Sequence, residues 1–242
     1  MKCALCQQPA VLCDSHIIPE FFYKPLYDAK HRFSRVSSNL GRQDAMLQKG
    51  IREHLLCEKC ETYLSRYEGY FKRAFLDGGI GEMAEDGRCL RIRGLDYKSI
   101  KLLFLSILWR MGVSSLKFFR QVKLGPHQEK LRMMLMMDDP GVPTDYGFLT
   151  VAPFLERQLG NWITPPDSEC FGANRLYRIV MGGVLFIFFV PGRDLPSKIT
   201  GLFLQADGHW IIVREKVENI EFLYRYVIEI GEAIHKRRAK YH

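Results

Sequence analysis

Two Cys-x-x-Cys pairs, Cys3/Cys6 and Cys57/Cys60, constrain this chain more than any other feature of its sequence. Two thiolates separated by two residues grip one metal ion from a single tight turn. Two such pairs complete a closed tetrahedral site of the kind that holds structural zinc. Cys6 and Cys57 are separated by 50 residues, too many for a simple ribbon finger but suited to a treble-clef knuckle carrying an insertion. In that arrangement a loop brings the first pair, a hairpin follows, and the second pair opens a helix.

Cysteine usage also sets the compartment. Seven cysteines is an odd number, and with four at metal-ligand spacing a disulfide framework is not expected and a reducing environment is. Cys13, Cys89 and Cys170 read as buried free thiols. With 242 residues, 47% hydrophobic and 26% charged, the chain can bury a full core as one large or two small domains. No apolar run approaches the ~20 residues of a bilayer span. The opening Met1-Lys2-Cys3 lacks the basic-then-apolar pattern of a signal peptide. A soluble, cytoplasmic protein without membrane contact is expected.

The formal charge of +8 and pI of about 9.1 suggest a polyanionic partner. Between Lys24 and Arg52 seven basic residues face two acidic ones, a net +5 inside the cysteine-bracketed insert. Lys30, Arg32, Arg35, Arg42, Lys49 and Arg52 are therefore candidates for neutralising phosphates. The same insert carries Phe21, Phe22, Tyr23, Tyr27, His31 and Phe33. A solvated loop whose aromatics cover the knuckle accounts for the composition equally well.

Periodicity predicts helices over 58–75, 96–122 with Asp96 as N-cap, 129–137 and 218–235. Met133, Met134, Met136 and Met137 read as core filling. Strands are expected at 89–92, at 176–180 and 184–190 around Gly182-Gly183, and at 201–205 and 209–213 around Asp207-Gly208. The apolar run 184–190 calls for cover on both faces. A Glu68/Lys72 surface pair fits the helix after Cys60. The basic exit 235–238 suits a helix C-terminus. The fold class is α+β: a zinc module over 1–78, a connector over 79–95, and an α+β domain of unassigned role over 96–242, with long helices and an antiparallel sheet. Trp109, Arg110, Trp162 and His209 find no role.

Cys3-x-x-Cys6, then Ser15-His16-Ile17-Ile18-Pro19, then Leu55-Leu56-Cys57-x-x-Cys60 with Glu61 at once after it, resembles the zinc-bearing branch of the HNH endonucleases over roughly the first 75 residues. The resemblance implies a ββα-metal fold, hydrolysis of DNA phosphodiesters, and a setting in phage defence or a mobile element. It makes His16 the general base, the four cysteines a structural zinc site, and Glu61 a ligand of a catalytic Mg²⁺ or Mn²⁺ ion. The family's ligand just before the histidine is Asp or His, and here stands Ser15. Asp14 is the adjacent carboxylate on the same strand face as His16, and Glu53 and His54 are further donors. Arg52 stands where the family places an asparagine. The C-terminal domain would then serve recognition, oligomerisation or regulation, through a protein partner or a homo-oligomer. A non-catalytic zinc module binding nucleic acid or protein is the alternative.

Overall fold

The computed structural model describes residues 1–35, 45–77, 82–83, 87–154 and 162–238. The first cysteine pair lies in a tight turn closed by Cys3 N–H to the Gln8 carbonyl and Gln7 N–H to the Cys3 carbonyl. β1 (Leu12–His16) follows, then the insert with two 3₁₀ turns (Glu20–Phe22, Lys24–Leu26) and a short hairpin of β2 (Phe33–Arg35) and β3 (Ala45–Leu47). β4 (Arg52–Cys57) returns to pair antiparallel with β1, with an irregularity between Cys13 and Asp14. Cys57 is the N-cap of α1 (Glu58–Lys72), which continues as a π-helical turn at Arg73–Asp77. Loop, hairpin and helix thus occur in the order that the cysteine spacing predicts.

The remaining strands are β5 (Glu82–Met83), β6 (Cys89–Ile92), β7 (Phe148–Phe154), β8 (Asp167–Phe171), β9 (Asn174–Met181), β10 (Val184–Val190) and β11 (Trp210–Lys216). They form one sheet in the order β5-β6-β11-β7-β10-β9-β8. Every pairing is antiparallel except that of β11 with β7. The helices are α2 (Tyr97–Val113), α3 (His127–Met136), α4 (Ser197–Thr200) and α5 (Glu221–Arg238).

α2 is buried on nearly all sides, which places it between α1 and the sheet. Its Phe104 meets Phe71 of α1 at 5.8 Å and Phe148, Phe186 and Trp210 of the sheet at 4.6, 4.7 and 5.7 Å. Each such ring contributes roughly 1.5–3 kcal/mol by leaving water. On the opposite face Val151, Val180 and Leu185 pack with Val217 and with Leu223 of α5. β10 is therefore covered on both faces, as its unbroken apolar run requires. The sequence divisions at 78 and 96 cross one buried cluster that extends from Cys3 and Leu5 to Trp210, and residues within 79–95 supply β5 and β6.

Several expectations are corrected. α2 ends at Val113, not 122, because Ser114 and Ser115 turn out of the helix to bond the Glu53 carboxylate with both hydroxyls and the Ser115 N–H. Residues 201–205 form no strand: the Gln205 side chain donates to the Thr200 and Phe203 carbonyls, and β11 takes its partners from β6 and β7. The tight turn before β11 is real. Gly208 holds φ +78°, and a Cβ there would stand 2.0 Å from the Leu95 oxygen. Of the four methionines, Met134 packs on the core while Met133, Met136 and Met137 are exposed. Cys170 is exposed and Cys13 and Cys89 are half-buried, all three free. At the basic exit Lys236 pairs with Glu232. No helix among the described residues is long and apolar enough to cross a membrane.

Candidate functional site

The turn at residues 3–6 and the start of α1 bring the Sγ atoms of Cys3, Cys6, Cys57 and Cys60 within 4.8 Å of one another. The Cys6 and Cys57 sulfurs are 3.8 Å apart. A tetrahedral ion with Zn–S bonds of about 2.3 Å has an S–S edge of about 3.8 Å, so the donor set fits zinc. The thiols differ in a way that a shared cation would resolve. Burial works to raise Cys3, but the N–H groups of Cys57, Cys6 and Leu5 outweigh it and bring the thiol down to about 7. Cys60 is pushed up, first by burial and then by the neighbouring sulfurs. Thiolates this close repel unless a cation lies between them.

His16 ends β1 directly opposite Arg52 of β4. Its ring Nε2 accepts from Arg52 Nε at 3.0 Å, and its carbonyl accepts from Arg110 Nη1 at 2.7 Å. A guanidinium in a protein keeps its protons, so Nε2 is the acceptor and the neutral ring carries its proton on Nδ1. Burial, then the Arg52 charge, hold the imidazole below its ordinary range, with Arg110 adding to the effect and Glu20 and Glu68 opposing it. His16 is consequently the neutral base form near pH 7. Gly50 makes room for the ring: a Cβ would lie 2.7 Å from Tyr23 Cε2 and 3.1 Å from His16 Cδ2. The Tyr23 hydroxyl accepts the Ile51 N–H at 3.1 Å.

The other predicted donors are dispersed. The Ser15 hydroxyl is buried between the Leu56 N–H and the Cys13 carbonyl, locking the hairpin. Asp14 does share the His16 face, where its Oδ2 lies 3.5 Å from Arg52 Nη1. Glu53 is held by Ser114 and Ser115, which keep its carboxyl below the usual range against the opposing effect of burial. His54 is exposed, with Nδ1 at 3.2 Å from the Leu12 carbonyl. Glu61 has a buried Oε1 with no hydrogen-bond partner among the described residues, and its charge is felt at Cys13, on the cysteine side of the hairpin. Among the described residues the four cysteines are the one group of three or more His, Cys, Asp or Glu placed to hold an ion.

Sequence reasoning missed Arg110. The side chain is 1% exposed, yet it gathers the His16 carbonyl, Glu68 Oε1 at 2.8 Å and the Ser106 hydroxyl at 3.1 Å. Glu68 thus faces α2 and not the expected Lys72. A cation in the midst of an apolar helix was the available signal, since burial of such a group demands a partner. In the basic insert Lys30 and Lys49 are exposed, while Arg32 forks onto Asp28 at 3.1 and 2.8 Å. Arg42 and the Arg35 side chain lie outside the described residues. The aromatics serve the core: Phe21 and Phe22 are buried against Phe71, and Phe22 meets Phe186 of β10 at 6.0 Å.

Compared with protein-family models, with curated proteins and with solved structures, the chain matches none.

Proposed function

We propose that this protein is a nuclease that hydrolyses phosphodiester bonds in DNA, with His16 as general base and the four-cysteine zinc site as scaffold. The observation that carries the reading is a neutral imidazole at the end of the zinc-tethered hairpin, in contact with the Arg52 guanidinium at 3.0 Å. An imidazole takes a proton from water as the water oxygen attacks phosphorus. An adjacent guanidinium attracts the phosphate that is attacked. The overall charge of +8 and the exposed Lys30 and Lys49 favour a polyanionic substrate.

The resemblance in sequence also brings a Mg²⁺ or Mn²⁺ ion, which when bound would stabilise the phosphorane charge and the leaving oxygen. Glu61 offers one unpartnered oxygen to such an ion. Asp14 is engaged by Arg52, Ser15 and Glu53 are occupied within the fold, and the set does not converge.

The test is cleavage of duplex DNA by the zinc-loaded full chain, with and without added Mg²⁺ or Mn²⁺. His16→Ala should lower the rate by about 10²–10⁴-fold, leaving zinc content, melting temperature and DNA affinity in place. Full-rate cutting by His16→Ala would overturn the reading.

A further inference from the structure

The groups that a catalytic cation would need beside His16 are already in contact with a cation, and it belongs to the chain. Arg52 directs Nε to His16 Nε2 at 3.0 Å and lies with Nη1 3.5 Å from Asp14 Oδ2. We propose that the Arg52 guanidinium is the phosphate-binding group of this site and takes the place of a divalent cation there. The inference rests on the reading of His16 as the base of a phosphodiester hydrolase, and it departs from the metal chemistry that the resemblance implies.

Two features favour this role over that of a fixed brace. First, Arg52 is accessible: its side chain is 26% exposed, against 1% for Arg110. Second, its present partners are weak. One is a neutral ring nitrogen, and the other is a half-exposed carboxylate beyond ordinary hydrogen-bond distance. A phosphodiester presents two anionic oxygens in the spacing that a guanidinium fork matches, so it competes well for the same N–H groups.

Phosphate binding and base activation then become one event. As the fork turns onto phosphate, the Nε2 lone pair is released beside the bound group. Water gives one proton to Nε2 while its oxygen forms a bond to phosphorus. The bond from phosphorus to the deoxyribose oxygen breaks, and that oxygen takes a proton from solvent. Water is the only co-reactant. Asp14, a half-exposed carboxylate 3.5 Å from Nη1, repels phosphate and competes weakly for the guanidinium.

The experiment uses the full chain at one zinc per chain, in buffer freed of other divalent cations, with inorganic phosphate as probe. The ¹⁵N signals of the His16 ring report whether Nε2 keeps its arginine partner. Phosphate should shift them saturably. Arg52→Gln should weaken phosphate binding at least tenfold, and Arg52→Lys, which keeps the charge and guards against loss of fold, several-fold. Asp14→Asn should strengthen binding three- to tenfold. The inference is overturned if phosphate leaves His16 unmoved until Mg²⁺ or Mn²⁺ is added, or if Asp14→Asn abolishes binding, because Asp14 is then a cation ligand. Failure of the nuclease reading looks different: duplex DNA is never cut, with or without cations, while the phosphate response of Arg52 stands.

Discussion

The two ends of the β1–β4 hairpin are built in opposite ways. At one end, four cysteines from one tight turn and the start of α1 meet within 4.8 Å, and each pair is set by neighbours in sequence. At the other end, the His16 ring is held from the facing strand by Arg52, and its backbone from α2 by Arg110, 94 residues away. A metal knuckle needs only short spacing and a cation. A side chain poised for chemistry needs buried groups from distant elements to fix its direction, and those groups are affordable only inside a shared core. The two ends should therefore fail differently.

The largest effect is expected at the cysteine end. Stripping the metal, or Cys57→Ala, should remove the N-terminal module's fold and carry the shared core with it, since Cys3, Cys57 and Cys60 belong to the cluster that reaches Trp210. Structural zinc in small modules contributes on the order of 10 kcal/mol to folding. Zinc analysis and thermal melts check this, and an unchanged melting temperature in Cys57→Ala would remove the contrast altogether.

Next in size is Arg110→Met. It leaves the Glu68 carboxylate, which is only partly shielded from water, and the His16 carbonyl without their donor, which should cost about 3 kcal/mol, the low end for a broken buried pair. Unlike Cys57→Ala, it should leave zinc bound. Adding Glu68→Gln should recover part of the loss, because the stranded charge is gone, with a coupling of about 1–3 kcal/mol in a double-mutant cycle. Additive effects of the two substitutions would show that Arg110 is not the tie between the site and α2.

This asymmetry also explains what was legible in the sequence. The cysteine turns, α1 after Cys60, the Asp96 cap, whose carboxylate does accept the Ser99 N–H, and the β9–β10 turn at Gly182-Gly183 all depend on residues close in the chain. Legibility fails where a distant group decides. α2 stops early because Glu53 of β4 draws Ser114 and Ser115 out of the helix. β11 joins β6 and β7 because the sheet, not the turn before it, selects its neighbours. Glu68 turns to Arg110 because a buried guanidinium outcompetes a surface lysine. At the site, the cysteines and the shared face of Asp14 and His16 were readable from spacing and strand period. The Arg52 contact was not, because nothing within a basic insert marks the one arginine that the strand register sets opposite His16.

The smallest of these effects sharpens the comparison by reversing its sign. Lys101 lies on the same helix as Arg110 and is equally buried at 1% exposure, but its Nζ donates to the Pro143 carbonyl at 3.0 Å and forms no ion pair among the described residues. Burial pushes its amine down to about 7, with Asp145 pulling weakly the other way. The folded pKa lies below the unfolded value of 10.5, so between roughly pH 7 and 10.5 the unfolded chain binds more protons and the stability of the fold rises with pH. Below about pH 7 the full cost of the buried charge is present, and above 10.5 none of it remains. Lys101→Met should therefore stabilise the protein at pH 7 by about 1–4 kcal/mol, where Arg110→Met destabilises it. Tyrosines and thiols titrate in the same window, so the decisive quantity is the difference between parent and Lys101→Met in chemical denaturation at pH 7, 8.5 and 10. That difference should shrink as pH rises. A constant difference would mean that Lys101 stays charged in the fold and that its carbonyl partner serves it as well as Glu68 serves Arg110.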